Sequence, residues 1–223
     1  MKPRQNLTLA TYDRIMKMMI DYDIVPGQRL VFVDLARQLG VSRTPVNNAL
    51  SMLAMEGYLD FIPNQGYTVH KLTRREAEEL YEIREIVEIG TIGRAVERLT
   101  PDTTERLRQK KAAYEQAITN TVQRKLFVLD TDFHAAIIEM TGNLYLVDHY
   151  RDICKRIFLR FRVEALSVDR VHDIVNEHEK LFEAVAIRDV ELAQELLRKH
   201  NQNAKENLFR IIFTSDQVRK KIK

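Results

Sequence analysis

The uneven distribution of proline and glycine constrains the fold of this chain more than any other feature. Four of the five prolines and four of the seven glycines lie before residue 70. Both residues end helices and occupy turns, so the first part of the chain must consist of short elements. Beyond residue 70 the breaks are few, and apolar residues recur at helical spacing. We therefore predict two domains, residues 1–70 and residues 71–223, the second of them all helical.

The first domain has the pattern of a helix-turn-helix followed by a hairpin. Apolar periodicity predicts helices over residues 7–25 and 33–39. Gly40 suits a left-handed turn into a third helix, and the side chain of Ser42 is expected to cap that helix. Two short strands follow over 59–62 and 67–70. This order of elements is that of a winged helix-turn-helix, so the predicted fold class is mainly α, with a small β-hairpin and a C-terminal antiparallel helical bundle.

The start of the third helix carries polar side chains in the position that reads DNA in such domains. Arg43, Thr44 and Asn47 point outward when the apolar residues of the helix point inward, and the first residues of a recognition helix contact base edges and phosphates. Composition does not indicate DNA binding, because residues 1–70 contain seven Lys/Arg against six Asp/Glu. The prediction depends on the motif and its placement.

Residues 10–70 resemble the winged helix of the GntR family of bacterial transcription regulators. The resemblance rests on Val25-Pro26-Gly27-Gln28-Arg29-Leu30, Leu39-Gly40-Val41-Ser42-Arg43-Thr44-Pro45-Val46, Glu56-Gly57-Tyr58-Leu59 and Gly66-Tyr67. It implies DNA contacts from Arg43, Thr44 and the wing at Gln65 and Gly66. Winged helices of this kind usually read inverted-repeat operator DNA as homodimers. The family usually has an arginine where this chain has Asn47, and because asparagine pairs with adenine and arginine with guanine, we expect a different operator preference.

Four polar residues in the second domain lie on faces that should be buried. Asp130 and His134 are four apart on one helix and share a face, while His178 and His200 lie on apolar stripes of later helices. A buried carboxylate and three buried imidazoles are costly unless they satisfy one another. A divalent transition metal (Zn, Ni, Mn or Fe) would do so. The alternative is four core residues that are hydrogen-bonded separately.

Residues 72–215 resemble the FadR-type C-terminal domain, known as FCD. The resemblance rests on Leu80-Tyr81-Glu82-Ile83-Arg84, Asp130-Thr131-Asp132-Phe133-His134, Glu177-His178 and a late His200. It implies that Asp130, His134, His178 and His200 hold a metal and that Arg84 lies in an effector cavity. The six predicted helices fit the VanR-like subgroup; they run near residues 73–99, 102–119, 122–141, 144–166, 168–187 and 189–214. The simpler interpretation of Arg84 is an i, i+4 ion pair with Glu88.

Together these features predict a metal-containing transcriptional regulator whose operator binding is controlled by a small carboxylate effector. In this family, binding of the effector usually makes the regulator release DNA, as a repressor does. The residues themselves do not indicate whether the effector releases or promotes DNA binding. Two alternatives stay open, namely a metal-dependent hydrolase with a DNA-binding appendage and a regulator whose metal is purely structural. Against the hydrolase interpretation, the sequence shows no obvious general base beside the candidate metal ligands.

The chain carries no sign of export or of a membrane partner. It contains one cysteine, Cys154, so it forms no internal disulfide. No stretch approaches the roughly 18 apolar residues of a membrane span, and no signal peptide is recognised at the start. We expect a cytoplasmic protein.

Overall fold

The computed structural model describes residues 7–118, 125–161 and 168–220. The chain divides into two compact units, the first running to Leu72 with a short segment that begins at Leu159, and the second beginning at Thr73. In the described ranges, no helix is both long and apolar enough to cross a membrane.

The first unit is a winged helix-turn-helix. Its elements are α1 (Leu7–Ile20), β1 (Arg29–Leu30), α2 (Phe32–Leu39), α3 (Arg43–Met55), β2 (Leu59–Ile62) and β3 (Gly66–Val69). Gly40 ends α2 with a left-handed φ of 66°, which turns the chain into α3 at no steric cost. The core between α1, α3 and the sheet is formed by fully buried side chains, among them Ile15, Met19, Leu50, Leu53 and Tyr58.

The wing belongs to a three-stranded antiparallel sheet, whereas the sequence predicted a two-stranded hairpin. The strand order is β1-β3-β2, with Arg29 opposite Thr68 and Leu59 opposite Val69. A strand of two residues is too short to show apolar alternation, so β1 left no signal. The first helix also ends earlier than predicted, at Ile20, and Tyr22 has a φ of 71° that a right-handed helix cannot contain.

The second unit consists of helices in its described residues. They are α4 (Arg74–Glu97), α5 (Pro101–Gln116), α6 (Lys125–Glu139), α7 (Leu144–Leu159), α8 (Val168–Ala186) and α9 (Val190–Lys220). Their number agrees with the six predicted, and the last extends to Lys220 rather than residue 214. The predicted helix ends at 119, 122 and 166 lie outside the described residues. The mainly α fold class is confirmed.

Helix α4 places a polar face inside the second unit. It begins in a capping box, in which the Thr73 side chain accepts from the Glu76 N–H and the Glu76 carboxylate accepts from the Thr73 N–H at 2.9 Å. Its buried positions include Tyr81, Arg84 and Glu88, which recur at helical spacing and so share one face. Two charged residues of α4 are therefore directed into the helical core.

Candidate DNA-reading surface and metal centre

The first turn of α3 presents polar side chains to the outside of the first unit. Arg43, Thr44 and Asn47 are exposed, while Pro45 is buried and anchors the same turn. Ser42 is the N-cap residue with an extended backbone, but its side chain makes no capping hydrogen bond, so the expectation that its hydroxyl caps the helix was wrong. The outer face of α3 has the form of a recognition helix.

The tip of the wing is held by backbone geometry and by one arginine. Asn64 and Gly66 have left-handed φ angles of 61° and 87°, and at Gly66 this conformation favours glycine. Gln65 has an exposed side chain, and its backbone carbonyl oxygen accepts a hydrogen bond from Arg29 Nε at 2.8 Å. Arg29 was not predicted as a site residue because β1 was not recognised; its exposed guanidinium adds a positive charge beside the wing.

Four side chains from three helices converge inside the second unit. Asp130 and His134 come from α6, His178 from α8 and His200 from α9, and one ligand atom from each lies within 4.8 Å of all the others. Asp130 Oδ1 lies 3.2 Å from His178 Nε2, 3.6 Å from His200 Nε2 and 3.9 Å from His134 Nε2. The sequence predicted these four residues, and the fold brings all of them together.

The donor set fits a divalent transition metal. The three histidines are each at most 2 % exposed, and buried polar atoms normally find a partner. Among the described residues, however, His134 Nε2 has no hydrogen-bond partner, although it faces the Asp130 carboxylate. A buried lone pair that faces two further imidazoles and a carboxylate is the environment that a metal ion satisfies.

Two carboxylates lie behind the histidines and were not predicted as part of the site. Glu88 Oε1 lies 3.1 Å from His134 Nδ1, although the N–H is not aligned with it as a hydrogen bond. Glu177 Oε2 lies 2.8 Å from His200 Nδ1 in a hydrogen bond. Metal-binding histidines commonly contact a carboxylate through their second nitrogen. Glu177 adjoins His178 in sequence but faces His200, which spacing along one helix does not reveal.

Arg84 is buried at the edge of the cluster. Its side chain is 6 % exposed, with Nη2 3.5 Å from Asp130 Oδ2 and 3.3 Å from His200 Nε2, while Nε donates to Glu88 Oε1 at 3.3 Å. The i, i+4 pair with Glu88 therefore exists, but inside the protein rather than on its surface. Arg84 supplies a fixed positive charge next to two of the four clustered residues.

The charges of the cluster follow from burial and from its partners. Burial alone would raise the pKa of Asp130, but the hydrogen bond from His178 and the charge of Arg84 hold that pKa well below its usual range. Burial lowers the pKa of His178 to about 4 and also lowers that of His200. At neutral pH the carboxylate is thus ionised while His178 and His200 are neutral, which are the forms that bind metals.

Aromatic side chains enclose His178. The Phe133 ring lies 4.3 Å from the imidazole centroid, and the Tyr114 ring makes an edge contact at 5.0 Å. His178 Nδ1 has no hydrogen-bond partner among the described residues. The other three histidines lie outside the cluster, since His149 and His172 are exposed and His70 contacts Asp60 in the first unit.

An exposed recognition helix and wing, joined in one chain to a helical domain with a buried polar cluster, define a DNA-binding transcriptional regulator. The chain belongs to the FCD domain family, whose model matches residues 79–203, and its residues 7–69 match the family model of the bacterial gntR regulatory proteins. Both resemblances that the sequence indicated are confirmed.

Relatives of known class agree with this assignment. The chain is similar to the Nta operon transcriptional regulator of Aminobacter aminovorans, with 33% identity over 63% of this chain and 66% of that protein. It is 23% identical to the transcriptional repressor RspR of Escherichia coli over 95% of this chain and 92% of that one. The solved structure of E. coli McbR/YncC superposes with a TM-score of 0.79 at 25% identity, covering 92% of this chain and 98% of that one. These proteins are transcriptional regulators rather than enzymes.

Proposed function

We propose that this regulator binds operator DNA as a homodimer and that a divalent transition metal and a small carboxylate in its helical domain control this binding. The observation that carries the proposal is the convergence of Asp130, His134, His178 and His200 within 4.8 Å. Each of these residues is a common ligand of Zn, Ni, Mn or Fe. A hydrolase is not favoured, because the family and the relatives are regulators.

The cluster and Arg84 together suit a carboxylate ligand. A bound ion would supply positive charge. It would also have coordination positions that the four protein ligands do not fill and that a carboxylate could occupy. Arg84 Nη2 lies within 3.5 Å of both Asp130 and His200, so its guanidinium borders the space next to the ligand atoms. Arginine binds carboxylates through two parallel hydrogen bonds. An anion in this space would therefore meet two positive groups.

Effector binding would act on DNA by changing the arrangement of helices that carry the ligands. The four residues belong to α6, α8 and α9, and Arg84 belongs to α4, so one ligand would contact much of the bundle. Coupling free energies of this kind are typically about 1–3 kcal/mol. RspR is named a repressor, which supports repression relieved by the effector.

Calorimetry with a panel of small carboxylates tests the proposed control. We expect a small carboxylate to bind the protein loaded with Zn²⁺ or Ni²⁺. Binding should be much weaker after chelation, because the carboxylate can then interact only with Arg84. The bound carboxylate should also shift the midpoint of an operator titration. A loaded protein that binds no member of the panel would instead support a purely structural metal.

Asn47 should set base preference more than overall affinity. Asparagine makes its paired hydrogen bonds with adenine and arginine with guanine, and each good pair discriminates by about 1–3 kcal/mol. We expect Asn47→Arg to change the preferred base at one position of each half-site, as measured by selection from random DNA. An unchanged preferred sequence would place Asn47 away from the bases.

The homodimer should form through α4 and the start of α7. Ile83 and Ile86 are 46% and 64% exposed on one face of α4, and Leu144 and Tyr145 are 72% and 80% exposed at the start of α7. Light scattering at micromolar concentration should give twice the 26.2 kDa of one chain. We expect Ile86→Glu to shift the protein toward monomer, because a charge would be buried in the contact.

Ile187→Glu is the matched control for this experiment. Ile187 is 71% exposed but lies between α8 and α9, away from the predicted contact. It should leave the mass unchanged. A wild-type monomer both with and without DNA would contradict the dimer, and an unaffected Ile86→Glu dimer would remove this face of α4 from it.

The stability of the chelated protein should fall as the pH drops below 6.5. An unfolded histidine titrates near pH 6.5, whereas burial lowers the pKa of His178 to about 4 in the folded chain. The unfolded state therefore gains a proton in this interval before the folded state does, and acid favours unfolding by about 3 kcal/mol at pH 4 from this residue. Calorimetric melting from pH 7 to 4 measures the loss, and His178→Asn should reduce its slope. A melting temperature that stays constant down to pH 4.5 would contradict the buried neutral imidazole.

A further inference from the structure

Glu88 contacts both Arg84 and the proposed metal ligand His134, although the sequence did not indicate a role for it in the site. Its side chain is 2 % exposed and lies among four helices of the second unit. Oε1 accepts from Tyr150 Oη at 2.5 Å and from Arg84 Nε at 3.3 Å, and it lies 3.1 Å from His134 Nδ1. Oε2 accepts from the Asn201 amide. One carboxylate thus contacts the proposed effector-binding arginine and one of the proposed metal ligands.

These two contacts have opposite consequences for the two proposed ligands. A negative charge behind His134 Nδ1 favours the tautomer whose Nε2 lone pair faces Asp130, and such partners strengthen metal binding. The same charge pairs with Arg84 and repels an incoming anion, so an effector carboxylate must compete with Glu88 for the guanidinium. The first effect aids metal binding, and the second opposes effector binding.

We propose that Glu88 is a positioning residue that couples metal binding to effector binding. Its carboxylate orients His134 for the metal and pairs with Arg84 until an effector carboxylate takes the place of Glu88 in that pair. This inference rests on the proposed metal and carboxylate binding. It extends that function by assigning the energetic link between the two ligands to a single side chain. Removing the charge of Glu88 should therefore weaken metal binding and tighten carboxylate binding.

Glu88→Gln removes the charge with little change of shape. The glutamine oxygen still accepts from Arg84 and Tyr150, while its amide nitrogen takes the place of Oε2 next to the Asn201 amide. Asn201 Oδ1 is buried and has no hydrogen-bond partner in the part of the chain that the structure describes. Turning the Asn201 amide over places this oxygen against the new N–H, so the core accommodates the variant.

Glu177→Gln is the comparison variant. Glu177 contacts the metal-facing histidine His200 through Nδ1, as Glu88 contacts His134, but its other partners are Arg170 and Asn203 rather than Arg84. It shares the first of the two proposed effects of Glu88 and lacks the second. It therefore separates a general loss of charge near the histidines from a specific effect on Arg84.

The test is titration of Co²⁺ into the wild-type protein and both variants, followed by titration of acetate into each Co²⁺-loaded protein, monitored by visible absorption. Both variants should bind Co²⁺ about 10–100-fold more weakly. Acetate should bind Glu88→Gln at least about tenfold more tightly than wild type, as expected for removal of one nearby negative charge. Glu177→Gln should show no such gain. In the metal-free proteins, imidazole ¹⁵N shifts should report loss of the single His134 tautomer in Glu88→Gln.

The outcomes separate the inference from the function on which it rests. A wild-type protein that binds neither Co²⁺ nor acetate overturns both. Normal wild-type binding of both, with acetate affinity unchanged or lowered in Glu88→Gln, overturns the coupling role alone. If Glu88→Gln does not fold, Tyr150→Phe replaces it; loss of the Tyr150 hydroxyl strengthens the Glu88–Arg84 pair and should weaken acetate binding several-fold, and no change there overturns the inference.

Discussion

Replacement of His134 by alanine is expected to abolish the stabilisation that metal gives to the helical unit. A metal held by Asp130, His134, His178 and His200 would join three helices that are distant in sequence, and it would bind the folded chain alone. With free metal a thousandfold above its dissociation constant, this linkage stabilises the folded state by about 4 kcal/mol. For a domain of this size the melting temperature should rise by roughly 10 °C.

The measurement is thermal melting of the wild-type protein and His134→Ala, each with metal and with chelator. Chelation should lower the wild-type melting temperature and re-addition should restore it, whereas the variant should respond to neither. His172→Ala is the matched control, because His172 is exposed on α8 and outside the cluster. Equal melting of chelated and loaded wild-type protein would contradict a metal bound to these helices.

Replacement of Arg43 by alanine is expected to remove most of the affinity for operator DNA. Arg43 is the first residue of α3 and is exposed, so its guanidinium is free to contact a base edge or a phosphate. Loss of such a contact costs about 1–3 kcal/mol, and a dimer loses it in both half-sites. Gel-shift titration should therefore show a loss of more than tenfold, with the melting curve unchanged.

The control for Arg43→Ala must remove a positive charge elsewhere. Arg198 is exposed on α9 in the helical unit, so Arg198→Ala changes net charge equally without touching the winged helix. Its operator affinity should stay close to wild type. If Arg43→Ala bound the operator as tightly as Arg198→Ala, α3 would not be the helix that reads DNA.

The parts of the fold that sequence predicted best are those set by periodicity along one helix. Asp130 and His134 share a face because they are four residues apart, and the apolar stripes around His178 and His200 direct both inward. The helix-turn-helix was equally visible, because Gly40 and the residues after it have one favoured geometry. The buried faces made a shared site plausible, and the resemblance to the FCD domain implied that the four polar residues meet there.

The parts that sequence missed depend on contacts between elements. Glu88 and Glu177 face His134 and His200 across helices, and no spacing within a single helix encodes such a pair. Arg84 shows the same limit. Its pair with Glu88 was visible as an i, i+4 spacing, and the resemblance to the FCD domain implied a place in the cavity, but spacing alone does not show its burial beside Asp130. Strand β1 was missed because two residues carry no alternation.

The metal content of the purified protein, determined by elemental analysis beside His134→Ala and His172→Ala, tests most directly whether the cluster holds a metal. We expect close to one Zn, Ni, Mn or Fe per chain in wild type and His172→Ala, and a large loss in His134→Ala. Metal near zero in all three proteins, with wild-type melting unaffected by added metal or chelator, would contradict this expectation. The cluster would then be four buried core residues, and the proposed effector site would lose its basis.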